Sequence, residues 1–238
     1  MKKVLIIIPS FNEEENILKT CNKITNLKLK DYDINYIIIN DGSTDLTKNI
    51  CIENGLNFVN LVSNLGIGGA VQTGYKYAFY NNYDFAIQFD GDGQHNENYI
   101  LNLLEEIEKD DVDLVIGSRF VTNLSKFKST KFRRVGIKFL SSLMHICVGK
   151  KIKDPTSGFR AANKKVIKLF ASEYPTDYPE PETIITLIKK SYKVKEIPVE
   201  MNERLGGESS IKKFKILYYM FKVSLAILIA SISVKGEK

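Results

Sequence analysis

The chain contains few of the residues that build disulfide frameworks and zinc centres. Its three cysteines, Cys21, Cys51 and Cys147, are odd in number and form no C-x-x-C pair, which argues against a disulfide scaffold. Its two histidines, His95 and His145, have no second histidine at ligand spacing. We therefore expect reduced thiols in a reducing compartment and no zinc site.

Signals for export and for nucleic-acid binding are also missing. The apolar run at residues 4–8 is too short for an export signal. The net charge of +6 favours anionic partners, but no basic motif interleaved with aromatic residues is present. The expected partners are therefore nucleotide phosphates or an acidic membrane face, and not nucleic acid.

Apolar runs and helical segments alternate along the first half of the chain. The runs at residues 4–8, 34–39, 58–62, 85–89 and 114–116 are typical of buried strands. Their alternation with helical patterns predicts an α/β fold with a mostly parallel sheet and helices on both faces. Ligands of such sheets bind at the carboxyl ends of the strands.

An acidic motif follows the fourth of these runs, with the sequence Asp90-Gly91-Asp92-Gly93-Gln94-His95. In an extended chain, residues two apart point the same way, so Asp90 and Asp92 can reach one ion. Hard oxygen ligands suit Mg²⁺ or Mn²⁺ shared with substrate phosphates. A turn that merely ends the strand is the alternative interpretation.

The carboxyl-terminal end is the most apolar part of the chain. Residues 216–234, interrupted by Lys222, would form a helix of about 28 Å. Lys212, Lys215 and Lys222 would share one helical face, which favours a helix at an anionic membrane surface. A helix that covers the protein's own core, or a dimer interface, is the alternative.

Seven short motifs follow one another in a fixed order. They are Pro9-Ser10-Phe11-Asn12-Glu13-Glu14, Asn40-Asp41-Gly42-Ser43-Thr44-Asp45, Asn64-Leu65-Gly66-Ile67-Gly68-Gly69-Ala70, Asp90-Gly91-Asp92-Gly93-Gln94-His95, Ile116-Gly117-Ser118-Arg119, Asp154-Pro155-Thr156-Ser157-Gly158-Phe159 and Arg204-Leu205-Gly206-Gly207-Glu208-Ser209. Together, over about residues 4–212, the chain resembles family 2 glycosyltransferases of the GT-A fold. The nearest branch resembles dolichol-phosphate mannosyltransferase and bacterial polyprenyl-phosphate glycosyltransferases.

The resemblance implies a binding site for a nucleotide-sugar donor. Pro9, Phe11 and Glu13 match the segment that holds the base and ribose, and Asp41 matches the acid that reads the base. The other residues expected to contact substrate are Gly69, Asp90, Gly91, Arg119, Arg134, Arg204 and Lys212.

The resemblance also implies a divalent metal and an acceptor site. Asp90, Asp92 and Gln94 would hold Mg²⁺ or Mn²⁺, with Asp90 also near the sugar. Asp154 matches an aspartate that orients or deprotonates the acceptor, and Arg204 matches a phosphate-binding arginine that helps close the site. Asp154, Arg204 and Asp90 are therefore the expected catalytic residues.

These expectations define one function and two alternatives. We expect a metal-dependent, inverting transfer of a sugar from a UDP- or GDP-linked donor to polyprenyl phosphate, with the basic segment 126–138 contacting lipid. A cell-wall or capsule glycan hydroxyl is the alternative acceptor, and it would require a base, Asp154, Glu180 or Glu182. A non-catalytic nucleotide-sugar-binding subunit of a membrane complex is the alternative of another class.

The expected organisation has three parts. Residues 1–120 form the nucleotide-sugar half, residues 121–210 the acceptor half of the same GT-A domain, and residues 211–238 a membrane-associated or interface helix. We expect a cytoplasmic protein that is peripheral on the inner face of the cell membrane. The expectation leaves room for a small integral membrane partner and for a homo-oligomer.

Overall fold

The computed structural model describes residues 1–109, 111–121, 131–202 and 215–234, with no side chains given for residues 131–133 and 215–217. Two residues of the expected site, Arg204 and Lys212, lie outside the described residues.

One sheet runs through the described part of the chain, with the strand order β3-β2-β1-β4-β6-β5-β7. The strands are β1 (Lys2–Ser10), β2 (Tyr32–Asn40), β3 (Phe58–Asn60), β4 (Phe85–Gln88), β5 (Leu114–Ser118), β6 (Arg160–Asn163) and β7 (Val194–Pro198). Neighbouring strands are parallel except at β6, which is antiparallel to both β4 and β5. The expected mostly parallel sheet is confirmed.

Helices cover both faces of the sheet. They are α1 (Ile17–Thr25), α2 (Thr47–Glu53), α3 (Gly66–Tyr80), α4 (Ile100–Ile107), α5 (Lys131–Val148), α6 (Lys164–Ser172), α7 (Pro179–Lys189) and α8 (Lys215–Ser233), with a 3₁₀ turn at Glu97–Tyr99. Alternate residues of β1 enter two separate cores, because successive strand residues point to opposite faces. One core packs against α1, α2 and α4, and the other against α3 and α5 to α8.

The first helix begins later than the motif after β1 suggests. The acids from Glu13 onward predict a helix from that residue, capped by Ser10 or Asn12, but α1 begins at Ile17. Asn12 adopts a positive φ of 56°, which a helix cap does not have. The expected cap is therefore wrong, and Asn12 serves the loop instead.

The terminal helix α8 lies against the body of the protein. Val223, Ile227 and Ala230 are buried along its inner face, in the same core as α5 and α7. Lys222 pairs with Asp177, with 2.5 Å between Nζ and Oδ2. Among the described residues, no helix has both the length and the apolar character needed to cross a bilayer.

Candidate functional site

The carboxyl ends of the parallel strands bring the sequence motifs to one edge of the sheet. In the register of the sheet, Ser10 lies beside Asn40 and Ile7 lies beside Gln88. The loops after β1, β2 and β4 are therefore neighbours. Arg119 follows β5 at the same edge.

Side chains join the first two of these loops. The backbone N–H of Asn12 donates to Ser43 Oγ at 2.9 Å, and Asn12 Oδ1 accepts from the Thr44 N–H at 2.8 Å. The N–H of Glu13 donates to Thr47 Oγ1 at 2.8 Å. Asparagine tolerates the left-handed backbone that this crossing requires. The two segments expected to hold the nucleotide are thus fixed relative to each other.

The expected base-reading acid is buried at the end of β2. Asp41 Oδ1 accepts from the Leu65 N–H at 2.7 Å, just before α3, and Gly69 lies in the first turn of that helix. Burial raises the pKa of the Asp41 carboxyl, while the N–H groups of Leu65 and Gly66 lower it. Phe11, on the neighbouring loop, leaves 47% of its surface exposed and available for a ligand.

Two acids follow β4 in a tightly bonded turn. The N–H of Asp90 donates to His95 Nδ1 at 3.0 Å, and Asp90 Oδ1 accepts from Gln88 Nε2 at 3.3 Å. Asp92 Oδ1 accepts from the Gln94 N–H at 3.0 Å. The turn therefore fixes both acids at the edge of the sheet.

Two glycines bring the backbone close to this turn. A Cβ atom at Gly91 would lie 2.7 Å from Ser10 Oγ. A Cβ at Gly158 would lie 2.8 Å from Gln88 Nε2 and 3.1 Å from Asp90 Oδ2. A side chain at either position would therefore force these neighbouring side chains to move, and Gly158 lets the segment before β6 come close to Asp90.

The donor atoms of this turn fit a hard divalent cation that shares its ligands with a substrate. Asp90 and Asp92 supply carboxylate oxygens, and the buried Gln88 Oε1 finds no hydrogen-bond donor among the described residues. No group of three or more His, Cys, Asp or Glu side chains in the described part could hold a metal. Mg²⁺ commonly takes one or two carboxylates and completes its shell with phosphate oxygens and water.

A buried ion pair joins β5 to the segment before β6. Arg119 Nε and Nη2 donate to the two carboxylate oxygens of Asp154, both at 2.7 Å, and the Arg119 N–H adds a third bond at 3.0 Å. Burial alone would lower the pKa of Arg119, but Asp154 outweighs it and raises that pKa. Asp154 is fully buried, so this geometry favours the orienting role over that of a base.

The sequence did not predict one residue of this site, Arg160, and it left the role of another, Glu180, open. Arg160 is buried, and its Nη1 donates to Thr183 Oγ1 at 2.9 Å. Burial raises the pKa of Asp90, while Gln88 and the cations Arg119 and Arg160 lower it. Arg160 directly follows the Gly158-Phe159 pair of the sixth motif, which is the signal that could have found it.

Glu180 lies in the first turn of α7 and reaches the same corner. Burial raises the pKa of its carboxyl, Arg160 lowers it, and the charge of the nearby Asp90 raises it further. Glu182, two residues further along α7, is half-buried and lines a cavity of about 210 Å³ beside α8. The sequence names Glu180 and Glu182 as candidate bases for a hydroxyl acceptor. Of these two, Glu180 is the one within electrostatic reach of Asp90.

Two further expected residues, Arg134 and Pro9, lie among the described residues. Arg134 is exposed in the first turn of α5. Pro9 is buried within β1, below the loop that carries Phe11.

Comparison with known proteins places the whole arrangement in context. The model of the family described as Glycosyl transferase family 2 matches residues 5–170. A UDP-N-acetylglucosamine–dolichyl-phosphate N-acetylglucosaminyltransferase of Methanococcus voltae is 31% identical over 94% of this chain and 97% of its own length. A polyprenol monophosphomannose synthase of Mycolicibacterium smegmatis is 26% identical over 94% of this chain and 86% of its own.

A solved structure supports the fold. Glucosyl-3-phosphoglycerate synthase from Mycobacterium tuberculosis, in complex with Mn²⁺, UDP and phosphoglyceric acid, superposes with a TM-score of 0.72 at 18% identity. The superposition covers 97% of this chain and 78% of that one. At this identity the likeness shows a shared fold.

Proposed function

Since the chain belongs to glycosyl transferase family 2, we propose that it transfers a sugar from a UDP- or GDP-linked donor to a polyprenyl phosphate, with inversion at the anomeric carbon. The names of two similar proteins, one acting on dolichyl phosphate and one a polyprenol monophosphomannose synthase, support the lipid phosphate as acceptor. Both are matched over nearly the whole of this chain.

The donor would bind across the loops after β1 and β2. Phe11 and Glu13 would hold the base and ribose above Pro9, and Asp41 would accept a hydrogen bond from the base through its remaining oxygen. Gly69 and Gly91 would let the backbone come close to the diphosphate and sugar. In this arrangement residues 1–120 form the donor half and residues 121–210 the acceptor half.

The acidic turn after β4 would hold the divalent cation. This cation would be Mg²⁺ or Mn²⁺. Its proposed protein ligands are Asp90, Asp92 and Gln94, and the diphosphate would supply further oxygens. When bound, such an ion neutralises the negative charge that develops on the leaving diphosphate. The structure of a similar fold with Mn²⁺ and UDP supports this choice.

The acceptor's own charge reduces what the protein must do chemically. A phosphate monoester is already anionic near neutral pH, so no strong general base is needed to make it a nucleophile. Asp154 would act by holding Arg119, whose guanidinium lies within electrostatic reach of Asp90. Arg134, Arg204 and Lys212 are the proposed contacts to the phosphates of donor and acceptor.

A lipid acceptor requires the enzyme to work at a membrane surface. The relatives' lipid substrates support a peripheral location there. Because the inner face of α8 is packed on the protein, this helix would lie along the membrane surface and would not insert across the membrane.

One observation carries the proposal: the paired acids after β4 lie at the edge where the donor loops meet. The test is transfer of radiolabel from several UDP- and GDP-linked sugars to undecaprenyl phosphate with Mn²⁺. We expect an organic-extractable product from at least one donor. Replacing Asp92→Asn should lower its rate by about 10²–10³-fold, the usual cost of losing one such electrostatic contact.

Asp111→Asn is the matched control, since Asp111 is an exposed acid paired with Lys195. It should leave the transfer rate unchanged. Failure of every donor to label the lipid would remove polyprenyl phosphate as the acceptor.

Glu180 supports one alternative, transfer to a glycan hydroxyl. Its carboxyl lies within electrostatic reach of Asp90, where a base would be needed for a hydroxyl acceptor. Cell-wall and capsule oligosaccharides in the same assay test it directly. Label in the glycan and none in the lipid would favour this alternative.

A further inference from the structure

One tyrosine of α8, Tyr219, is turned toward the body of the protein. Val223, Ile227 and Ala230 are buried along the inner face of this helix, and Tyr219 comes one turn before Val223. Residues three or four apart share a helical face, so Tyr219 extends this row, and it packs against the same core. Unlike the three apolar residues, it ends in a hydroxyl, a group that usually has a polar partner when it is buried.

The segment before α7 holds the Tyr219 ring in place. The ring meets the Tyr178 ring edge to face, with 4.6 Å between the two centroids. Tyr178 has a positive φ of 49°, a strained backbone for a bulky residue that persists only where the surrounding structure holds it. Beside it, Asp177 pairs with Lys222, one turn along α8 from Tyr219. The orientation of Tyr219 is therefore fixed by packing.

This contact lies at the edge of the sheet that carries the candidate site. The N–H of Gly68, in the first turn of α3, donates to the Thr176 carbonyl at 3.1 Å, which ties the segment before α7 to the helix that begins beside the donor loops. Glu180, in the first turn of α7, lies within electrostatic reach of Asp90. Tyr219 packs on the chain between these two points.

The Tyr219 hydroxyl lies on the acceptor side of this edge. It is within electrostatic reach of Arg119, the residue that follows β5. In the strand order, β4 and β6 separate β5 from β1 and β2, whose loops would hold the donor. The Arg119 guanidinium is held by Asp154 at Nε and Nη2. A fixed cation and a hydroxyl therefore share a corner that lies away from the donor loops.

We propose that the Tyr219 hydroxyl donates a hydrogen bond to the phosphate of the acceptor and, together with Arg119, positions it at the site. A phenol donates one hydrogen bond without adding charge, and a bond from O–H to an anionic oxygen is short and strong. Arg119 supplies the charge that attracts the phosphate. The inference rests on the proposed function, because it names a residue that holds the acceptor proposed there.

The experiment is calorimetric titration of the full chain with a short, water-soluble prenyl phosphate, followed by transfer assays with the same acceptor. Tyr219→Phe keeps the ring against Tyr178 and removes only the hydroxyl. We expect it to raise the Kd of the prenyl phosphate, and the KM for it in transfer, by about tenfold or more, the usual cost of one hydrogen bond to a charged group. The Kd of UDP and GDP with Mn²⁺ should stay unchanged.

Tyr218→Phe is the matched control, because Tyr218 is the preceding residue of α8, is 60% exposed and lies off the inner row. It should bind the prenyl phosphate as the unchanged protein does. Tyr219→Leu removes the ring as well as the hydroxyl and should also lower the midpoint of urea unfolding. If only Tyr219→Leu weakens prenyl phosphate binding, Tyr219 serves packing alone and the proposal is overturned.

Two further outcomes would count against the proposal. If Tyr219→Phe weakens the binding of UDP or GDP and leaves prenyl phosphate binding unchanged, the hydroxyl serves the donor's phosphates. If the unchanged protein does not bind the prenyl phosphate at all, both this inference and the lipid acceptor are wrong. Binding that Tyr219→Phe weakens, without transfer from any donor, would support this inference and count against the proposed function alone.

Discussion

At the scale of single residues, Asp154, which the sequence predicts to be catalytic, is held in a buried ion pair with Arg119. Both carboxylate oxygens of the fully buried Asp154 accept bonds from the guanidinium. The backbone N–H of Asp154 in turn donates to Glu196 at 2.8 Å. A buried charge pair is costly to form, but removing one partner alone is costlier because it strands the other.

We therefore expect Asp154→Asn to destabilise the protein by about 3–5 kcal/mol. The neutral amide cannot compensate the guanidinium, which is only 7% exposed. Urea unfolding of the full chain measures the change. The exposed Asp111→Asn variant should keep the midpoint of the unchanged protein.

A double variant separates the effect of the ion pair on folding stability from its effect on sugar transfer. Arg119→Met with Asp154→Leu removes both charges and should recover much of the lost stability while transfer stays impaired. If Asp154→Asn unfolds at the same urea concentration as the unchanged protein, the pair does not hold this corner together.

The sequence predicts some residues of this site and not others, for a physical reason. Glu13, Asp41, Asp90 and Arg119 follow strand-like runs, so the carboxyl-end rule for parallel sheets brings them together. Arg160 belongs to a strand that runs the other way. Its approach to Asp90 depends on how β6 inserts between β4 and β5, which no local pattern in the sequence specifies.

At the scale of elements, the segment between α5 and β6 couples the two halves of the sheet edge. It carries Asp154, which holds Arg119, and Gly158, whose missing Cβ leaves space for the Asp90 carboxylate. The adjoining strand β6 was not predicted, because its four residues Arg160–Asn163 show neither an apolar run nor alternation. The boundaries of the apolar strands and of α8 were predicted to within two residues.

Replacing Gly158→Ala tests this coupling. The new Cβ would lie 2.8 Å from Gln88 Nε2 and 3.1 Å from Asp90 Oδ2, so both side chains must move. Displacing a group that supports a metal ligand typically lowers metal affinity or activity by about 10–100-fold. We expect Gly158→Ala to need about 10–100-fold more Mn²⁺ for half-maximal sugar transfer, or to transfer sugar that much more slowly. Circular dichroism should show that the variant is still folded.

Gly55→Ala is the control for backbone strain alone. Gly55 has a φ of +59° and open space where a Cβ would be, so the variant should lose some stability without changing the Mn²⁺ dependence. Equal kinetic effects at the two glycines would mean that contact with Asp90 is unimportant.

At the scale of the whole molecule, His95 is the point where three separate parts of the chain meet. Its ring stacks on Phe159 at 4.8 Å between centroids, and it forms a β-bridge with Met201 after β7. Its Nδ1 accepts from the Asp90 N–H at 3.0 Å, which needs the neutral ring. The ring must therefore stay unprotonated for these parts to remain assembled.

This burial makes the stability of the metal-free protein depend on pH. Burial lowers the pKa of His95 to about 4, opposed by Asp92 and assisted by Arg119. In the unfolded chain His95 has an ordinary histidine pKa of about 6.5. Between pH ~6.5 and ~4 it is therefore protonated in the unfolded state but not in the native state. The contribution is therefore fully present above pH ~6.5, falls as the pH drops toward ~4, and totals on the order of 3 kcal/mol.

Urea unfolding with a chelator, from neutral pH to mildly acidic pH, measures this slope. His95→Phe keeps a ring against Phe159 but cannot take up a proton, so its stability should fall less over the same range. His145→Gln, at the exposed histidine of α5, should behave as the unchanged protein.

Buried acids such as Asp41 and Glu180, whose pKa values burial raises, contribute the opposite slope to all three proteins alike. The difference between His95→Phe and the unchanged protein therefore isolates His95, and identical slopes would show that its ring is protonated as readily in the native state as in the unfolded chain.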